Sequence, residues 1–462
     1  MSEFEPLYTT AEMQAAERRY PGSTEELMEH AGAQAALVAL DRMPLAQRWT
    51  VVCGGGANGG DGRVLARHLE QAGKDVRIVD AKAGETDLGR PDAIADALFG
   101  TGFEGEPRPD AAALIEQINA AGVPVLSLDL PSGVDASTGE IAGVAVRATA
   151  TVTFHARKVG LVVAPGRFHA GEVQVADIGL APAETRDRLV TATLLRSVPL
   201  RGPEDNKYTA GHVLVVGGSR GLTGAPSLTA MAALRADAGY ATLAAPESTL
   251  PVFEQRLVEV VKRPLPENAG LVAADAVDAV LELAAKAHAV ALGPGLGRGP
   301  GPQTLVRRLL AELTLPVVVD ADALFELEPG DWPGPRVLTP HEGELGRLLG
   351  RDSRVIAAHR LASVREAADR FGCVVLLKGA DSLVAAPGRG VLVSALGLSS
   401  LATAGTGDVL TGIVAAFLAK GMEAQLATAA AAAAEQRASV EAPQRAGLVA
   451  SDLLDALPRA LG

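Results

Sequence analysis

Thr50-Val51-Val52-Cys53-Gly54-Gly55-Gly56-Ala57-Asn58-Gly59-Gly60-Asp61-Gly62 passes from an apolar, β-branched run into a glycine-rich turn carrying two polar side chains. β-Branched residues favour a pleated strand, and glycines let a backbone turn tightly and approach a ligand closely. With a helix following Asp61, the stretch is one strand–loop–helix unit of an α/β fold, and the same alternation runs outward from it. Upstream, residues 10–42 carry a helical pattern. Downstream, strands are predicted over 76–79, 94–99, 123–128, 150–154, 161–164 and 173–176, with a helix from about Asp110. Between 181 and 205 the pattern weakens into charge and Pro182, Pro199 and Pro203, which predicts a domain junction and divides the chain into residues 1–198 and 199–462. Strands then resume over 212–216, 241–245, 288–292, 317–319, 336–339 and 373–378, and residues 425–440 form an alanine-rich helix. Such alternation predicts two α/β domains with mostly parallel, doubly wound sheets. In both halves the glycine-rich and acidic motifs follow strand ends, where open α/β sheets bind ligands, so two active sites are expected.

Composition narrows the function. At 462 residues, 48% hydrophobic and 21% charged, the chain is that of a globular protein with more than one core. A formal charge of −13 argues against general nucleic-acid binding, yet allows a phosphorylated small ligand held by backbone amides and a few local cations. Cys53 and Cys373 lie in separate apolar runs, with no zinc-like Cys/His cluster and no expected disulfide. The start, Met1-Ser2-Glu3-Phe4-Glu5, lacks the features of a signal peptide, and no apolar run reaches the ~18 residues of a membrane span. A cytoplasmic protein is expected.

Gly54, Gly56 and Gly59 satisfy the dinucleotide-binding spacing G-x-G-x-x-G, and Asp80 ends the next strand, so a redox NAD site competes for this loop. Asp61 opposes that reading, because its charge would face a pyrophosphate at the helix start. Two further acidic loops follow strands, Asp96-Ala97-Leu98-Phe99-Gly100-Thr101-Gly102 and Asp129-Leu130-Pro131-Ser132-Gly133. With Asn58 they offer hard oxygen ligands suited to alkali or alkaline-earth cations, though a turn or capping role accounts for each acid as well. These motifs, with Val152-Thr153-Phe154 and Lys158, together resemble the NAD(P)H-hydrate epimerase domain over roughly residues 5–195. The resemblance implies a Rossmann-like domain that binds hydrated NADH or NADPH above a potassium ion. It places Asn58, Asp96 and Ser132 around K+. It places Ala57, Asn58, Gly59, Gly60, Asp61, Gly100, Thr101, Gly102, Phe103, Glu104, Gly105, Glu106 and Asp129 against the substrate, with Asp129 doing acid–base work. Ala57 departs from the family's usual Asn and offers no side-chain amide.

In the second half, Gly405-Thr406-Gly407-Asp408 runs into Val409-Leu410-Thr411-Gly412-Ile413-Val414. Free amides at a helix N-terminus attract phosphate, and a carboxylate on the first turn could take a proton from an attacking hydroxyl. An ordinary glycine turn capped by Asp408 reads equally well from this stretch alone. Gly217-Gly218-Ser219-Arg220-Gly221 matches a hydrolase elbow, but Gly224 and Pro226 delay the helix to about Ser227 and spoil that geometry. Asn206-Lys207-Tyr208, Gly293-Pro294-Gly295-Leu296-Gly297, Thr339-Pro340-His341-Glu342-Gly343-Glu344 and Lys378-Gly379-Ala380-Asp381-Ser382 all flank strands. The set resembles the ribokinase-like fold and, within it, the ADP- or ATP-dependent NAD(P)H-hydrate dehydratases, over about residues 200–462. That resemblance implies that Ala225, Gly297, His341 and Asp408 face the hydrate, with Asp408 catalytic. Lys378, Gly379, Ala380, Asp381, Ser382 and Gly407 contact the ADP or ATP co-substrate, and Glu344 helps hold Mg2+ through water. Ser382 keeps the hydroxyl of a frequent Thr, and Ala404 replaces a frequent Gly. Asp320 and Asp322 also follow a strand and are read as structural.

The implied partners are hydrated NADH or NADPH and an adenine nucleotide, with no nucleic acid and no membrane, and a homo-oligomer is expected. Three other functions compete: a vitamin or sugar kinase of the ribokinase superfamily with a regulatory nucleotide-binding domain, a nicotinamide-dependent oxidoreductase, and a non-catalytic binding module. Free phosphate released together with NADH separates repair from the kinase. Hydride transfer to an acceptor would mark the oxidoreductase, and retention of Asp61, Asp96 and Asp129 together opposes the module.

Overall fold

The computed structural model describes residues 2–207, 209–444 and 446–462, so Tyr208 of the Asn206–Tyr208 motif lies outside the described residues. The chain divides into two compact units, Pro6–Asp187 and Arg188–Gly462, the second joined by residues 2–5. Residues 188–198, grouped by sequence with the first domain, thus belong to the second. Asp187–Val190 is a strand paired with Leu392–Ser394, and Leu194 and Leu195 are buried in that unit's core. The strand is four residues long and set among prolines and charges, which hid it.

Among the described residues of the first unit, one sheet runs in the order Asp75–Asp80, Arg48–Cys53, Ala93–Ala97, Val125–Leu128, Ala150–Phe154 and Glu172–Ala176, with every pair parallel. The chain leaves Arg48–Cys53 to one side and returns on the other at Ala93–Ala97. That reversal opens a crevice beyond the carboxyl ends of the two strands. The helix starts earlier than the sequence reading placed it, spanning Ala57–Gln71, so the glycine loop is its first turn. A Cβ on Gly59 would lie 1.9 Å from the Gly54 carbonyl oxygen, so glycine is required to seat that turn on the strand end. Residues 10–42 form two helices, Thr10–Glu17 and Thr24–Arg42, interrupted at Pro21-Gly22, and Ser23 and Glu26 cap the second reciprocally. The strand expected over 161–164 is absent: Val159–Leu161 is a 3-10 turn, with the Val159 and Gly160 amides donating to the Tyr8 and Ala136 carbonyls instead of a ladder.

The second unit's sheet is parallel through Val261–Leu265, Tyr240–Pro246, His212–Val216, Ala289–Leu292, Val317–Val319, Arg336–Leu338 and Val374–Leu377. It continues antiparallel through Ser382–Ala385 and Leu392–Ser394. Its reversal lies between His212–Val216 and Ala289–Leu292. The helix Thr406–Ala419 is buried on all sides, which its continuous apolar sequence requires. Gly405 turns into it at φ +92°, a left-handed conformation that favours glycine. The alanine-rich helix spans Ala424–Glu441. No described helix is long and apolar enough to cross a membrane.

Candidate active sites

A cavity of about 670 Å³ opens at the first unit's crevice, with Ala57, Asn58, Asp61, Thr101 and Asp129 in its wall. Gly100, Gly102, Phe103 and Glu104 also line it, whereas Gly59, Gly60, Gly105 and Glu106 do not. Phe103 stacks on Phe99 with ring centroids 4.6 Å apart. Asp129 follows the strand Val125–Leu128 at φ +66°, unusual for a residue with a side chain and found where a site holds it. Lys158 Nζ, fully buried, donates to Asp129 Oδ1 at 2.5 Å, to Phe154 O at 2.7 Å and to Thr153 Oγ1 at 3.0 Å. Thr101 donates to Oδ2 from its hydroxyl and, at 3.0 Å, from its amide. Burial works to raise the Asp129 carboxyl, but the Lys158 charge and these bonds prevail and hold it below the usual carboxylate range. The carboxylate is therefore ionised and held on both oxygens.

Asp61 presents the opposite environment. Burial first, then the charges of Asp129 and Glu17, push its carboxyl up to about 8 despite Lys158. Glu17, from the end of the helix Thr10–Glu17, lines the same cavity, and burial and Asp129 raise it too. The sequence reading did not single out Glu17 and gave Lys158 no role beyond the motif that carries the resemblance, since neither stands in a glycine loop.

The three residues assigned to K+ converge under this crevice. Asp96 is fully buried, with Oδ1 accepting from the Ser132 hydroxyl at 2.6 Å and Oδ2 from the Ser132 amide at 2.9 Å and the Ser127 hydroxyl at 2.8 Å. Asn58 donates to the Phe99 and Leu128 carbonyls at 2.8 and 3.1 Å, while its own Oδ1 is buried with no hydrogen-bond partner. Burial raises Asp96 despite its bonds. An orphaned buried oxygen and a desolvated carboxylate, with no nitrogen or sulfur ligand in the set, fit a hard monovalent cation.

In the second unit, Lys378 closes the strand Val374–Leu377 and reaches toward the turn at Gly407, where a Cβ would lie 3.0 Å from its Nζ. Nζ pairs with Asp320 Oδ1 at 2.7 Å, and the Thr411 hydroxyl donates to Asp320 Oδ2 at 2.7 Å. Burial opposes the lysine charge, yet Asp320, Glu344 and Asp408 hold its pKa above the usual value. Asp408 is the third residue of the helix Thr406–Ala419. Burial first, then Asp320, with Glu344 and Asp322 adding to it and Lys378 opposing, push its carboxyl up to about 7. Its backbone carbonyl accepts from Thr229, whose hydroxyl also bonds to the Ala225 carbonyl, so Ala225 and Asp408 are tied through one side chain. Gly297 donates its amide to Asp322 at 2.9 Å, and His341 caps the helix Glu342–Leu349, its amide bonding to Glu344 at 2.9 Å. Asp320, Glu344 and Asp322 set negative charge around Asp408, but among the described residues no three acidic or imidazole groups close on one metal site, which suits a Mg2+ ion held mostly by water and nucleotide phosphates. Asp320, read from sequence as structural, is the counter-ion of Lys378.

The Lys378–Ser382 turn owes its shape to Arg360, which sequence reading missed. This buried guanidinium contacts Asp381 Oδ1 at 3.1 Å, the Asp381 carbonyl at 2.8 Å and Glu342 Oε1 at 2.5 Å. The Asp381 carboxylate thus faces inward, and Ser382 Oγ accepts from Gln436 at 3.3 Å. Ser219 is 2% exposed and its hydroxyl donates to the Gly295 carbonyl, so it is no elbow nucleophile.

Glu435, buried on the helix Ala424–Glu441, has no hydrogen-bond or ion-pair partner among the described residues. Burial drives its carboxyl from an ordinary 4.5 up to about 8, against the Lys378 charge and with the help of Asp320. Between these values the folded protein keeps a proton that the unfolded chain has lost, so stability falls as pH rises through that window. Glu435→Gln is expected to remove this slope and to stabilise the protein above pH 8, by at most about 5 kcal/mol. Thermal unfolding of both proteins across the window checks it; parallel curves would refute it.

Residues 213–459 match the family model for NAD(P)H-hydrate dehydratase, and residues 24–89 and 79–160 match that for the YjeF-related protein N-terminus. The bifunctional NAD(P)H-hydrate repair enzyme Nnr of Moorella thermoacetica is 39% identical, over 98% of this chain and 96% of its own. The enzyme of that name from Escherichia coli (strain K12) is 33% identical, over 94% and 89%. The crystal structure of ADP/ATP-dependent NAD(P)H-hydrate dehydratase from Bacillus subtilis, co-crystallized with ATP/Mg2+, is similar with a TM-score of 0.52 and 28% identity, covering 58% of this chain and 96% of that one.

Proposed function

Since the chain belongs to the family of bifunctional NAD(P)H-hydrate repair enzymes, we propose that Asp408 is the base of its dehydration and Asp129 the acid–base group of its epimerisation. The protein repairs hydrated NADH and NADPH: one domain interconverts the R and S hydrates and the other dehydrates the S hydrate with ADP or ATP. The epimerase activity falls to the unit Pro6–Asp187 and the dehydratase activity to Arg188–Gly462, with the boundary at 187 where the sequence reading put it at 198.

Water added to the nicotinamide ring leaves a hydroxyl on C6, and hydroxide is a poor leaving group. Asp408 takes the hydroxyl proton as the oxygen attacks the terminal phosphorus, giving AMP from ADP and a C6 phosphate ester. The ring nitrogen lone pair then expels phosphate to form N1=C6, and loss of a C5 proton restores the dihydropyridine. The observation that carries this reading is Asp408 on the first turn of the Thr406–Ala419 helix, beside the amides of 405–407 and in front of Lys378. First-turn amides have no partner within the helix; the Thr406 amide donates to the Thr403 carbonyl at 3.4 Å, which leaves those of Gly405 and Gly407 for the charge the transferring phosphoryl develops. Lys378, Gly379, Ala380, Ser382 and Gly407 hold the nucleotide, Asp381 contributing main chain because its carboxylate is bound to Arg360. Ala225, Gly297 and His341 face the hydrate. Mg2+, held by Glu344 through water, would neutralise phosphate charge. K+, held by Asn58, Asp96 and Ser132, would fix the loop under the epimerase substrate.

Because Asp408 acts as a base from about 7, kcat/KM for dehydration is expected to rise with pH through that value and level off above it. A flat profile would contradict the assignment. In a nucleotide-soaked crystal the terminal phosphorus should lie against the 405–407 amides within reach of Asp408; a phosphorus bound elsewhere would overturn it.

A further inference from the structure

The cavity of the first unit holds three carboxyls in two kinds of environment. Asp129 is saturated, with Lys158, Thr101 and the Thr153 hydroxyl around it. Asp61 and Glu17 line the same cavity, and among the described residues neither carboxyl has a hydrogen-bond or ion-pair partner. Asp61 comes from the helix Ala57–Gln71 and Glu17 from the helix Thr10–Glu17. The charges that act on Asp61 are those of Asp129, Glu17 and Lys158, and those that act on Glu17 are Asp129, Lys158 and Arg18. Asp61, without donors and beside two other acids, retains its proton up to about 8, whereas Asp129, gripped by a lysine and a threonine, gives it up. Two carboxyls in one pocket driven to opposite protonation states are the arrangement that acid–base catalysis needs.

Inverting C6 by breaking its C–O bond takes oxygen off one face of the ring and adds it to the other, so proton transfer is needed on both. Resting on the epimerase reading above, we propose that Asp61 is the general acid of this step, protonating the departing C6 hydroxyl while Asp129 takes a proton from the water that attacks the opposite face. The proton of Asp61 passes to the hydroxyl oxygen, the C6–O bond breaks with its electron pair leaving on water, and the N1 lone pair forms N1=C6. Water then adds to C6, the double-bond pair returns to N1, and the proton lost by that water goes to Asp129. The two carboxyls have exchanged states, and cavity water resets them in the free enzyme. Glu17 is a positioning residue that acts through Asp61: its charge discourages ionisation of its neighbour.

The test uses the full-length protein, chiral separation of the hydrates and water enriched in heavy oxygen. Wild type should place heavy oxygen on C6 of the epimer it forms, and its epimerase kcat/KM should fall at alkaline pH near 8. Asp61→Asn should lower epimerase kcat by roughly 10²–10⁴-fold with KM for the hydrate little changed, and the alkaline limb should vanish from the residual rate. The side chain makes no bond in the fold, so this loss cannot come from a missing structural contact. Glu17→Gln removes a like charge and should move the limb to lower pH. An epimer formed without heavy oxygen, an Asp61→Asn enzyme weakened in KM alone, or a limb that survives the substitution would each overturn the proposal. A wild type that epimerises neither hydrate would overturn the epimerase reading itself, whereas a wild type that epimerises beside an unaffected Asp61→Asn enzyme overturns this inference alone.

Discussion

Asp408→Asn is expected to lower nucleotide-dependent dehydration by roughly 10²–10⁴-fold while epimerisation proceeds at the wild-type rate. The amide matches the carboxylate in size, and the bond from Thr229 goes to the Asp408 main chain, so the helix start should keep its shape. What is lost is the ability to accept a proton from the C6 hydroxyl. Folding should not suffer, because a carboxyl pushed up to about 7 by burial and by Asp320, Glu344 and Asp322 is a destabilising element at neutral pH, and the amide removes it. Single-turnover dehydration with the S hydrate and either nucleotide provides the check. Rapid phosphate release by the variant would show that another group takes the proton.

The second large effect is at Asp129. Asp129→Asn should abolish epimerisation and leave dehydration of the S hydrate intact. It also strands Lys158, whose ammonium is fully buried in an ion pair with Asp129, and breaking such a pair from one side costs about 3–5 kcal/mol. The first unit of this variant should therefore unfold at a lower temperature. Lys158→Met added to Asp129→Asn removes the uncompensated charge and should recover much of the stability without restoring epimerisation. Activity returning along with stability would mean that the carboxylate was structural.

Much of this architecture is legible in the chain because the central strands are buried on both faces. Val317–Val319 and Val213–Val216 can only be apolar, and runs of that kind are easy to read between glycine turns. Strands outside the parallel centre escaped: Ser382–Ala385, paired antiparallel on both sides, begins in a polar turn, and the edge strand Val261–Leu265 carries Lys262, Arg263 and Pro264. The helix start at Ala57 was misread because glycines usually weaken helices, whereas here their lack of side chains lets the first turn sit on the strand. The site was readable wherever chemistry and backbone constraint fall together, as at 405–408 and 129–133. Residues that act through tertiary contact left no local mark. Arg360 lies in an amphipathic helix like any surface arginine, Glu17 ends another helix, and only folding brings Asp320 to Lys378.

The most direct measurement follows the dihydronicotinamide absorbance and free phosphate together, for wild type supplied with a mixture of both hydrate epimers, Mg2+, K+ and ADP or ATP. All of the hydrate should be recovered as NADH or NADPH with one phosphate per molecule, whereas Asp129→Asn should stop once the S hydrate is spent. Accumulation of a phosphorylated product without recovered NADH, or recovery that needs no nucleotide, would contradict the two-site account.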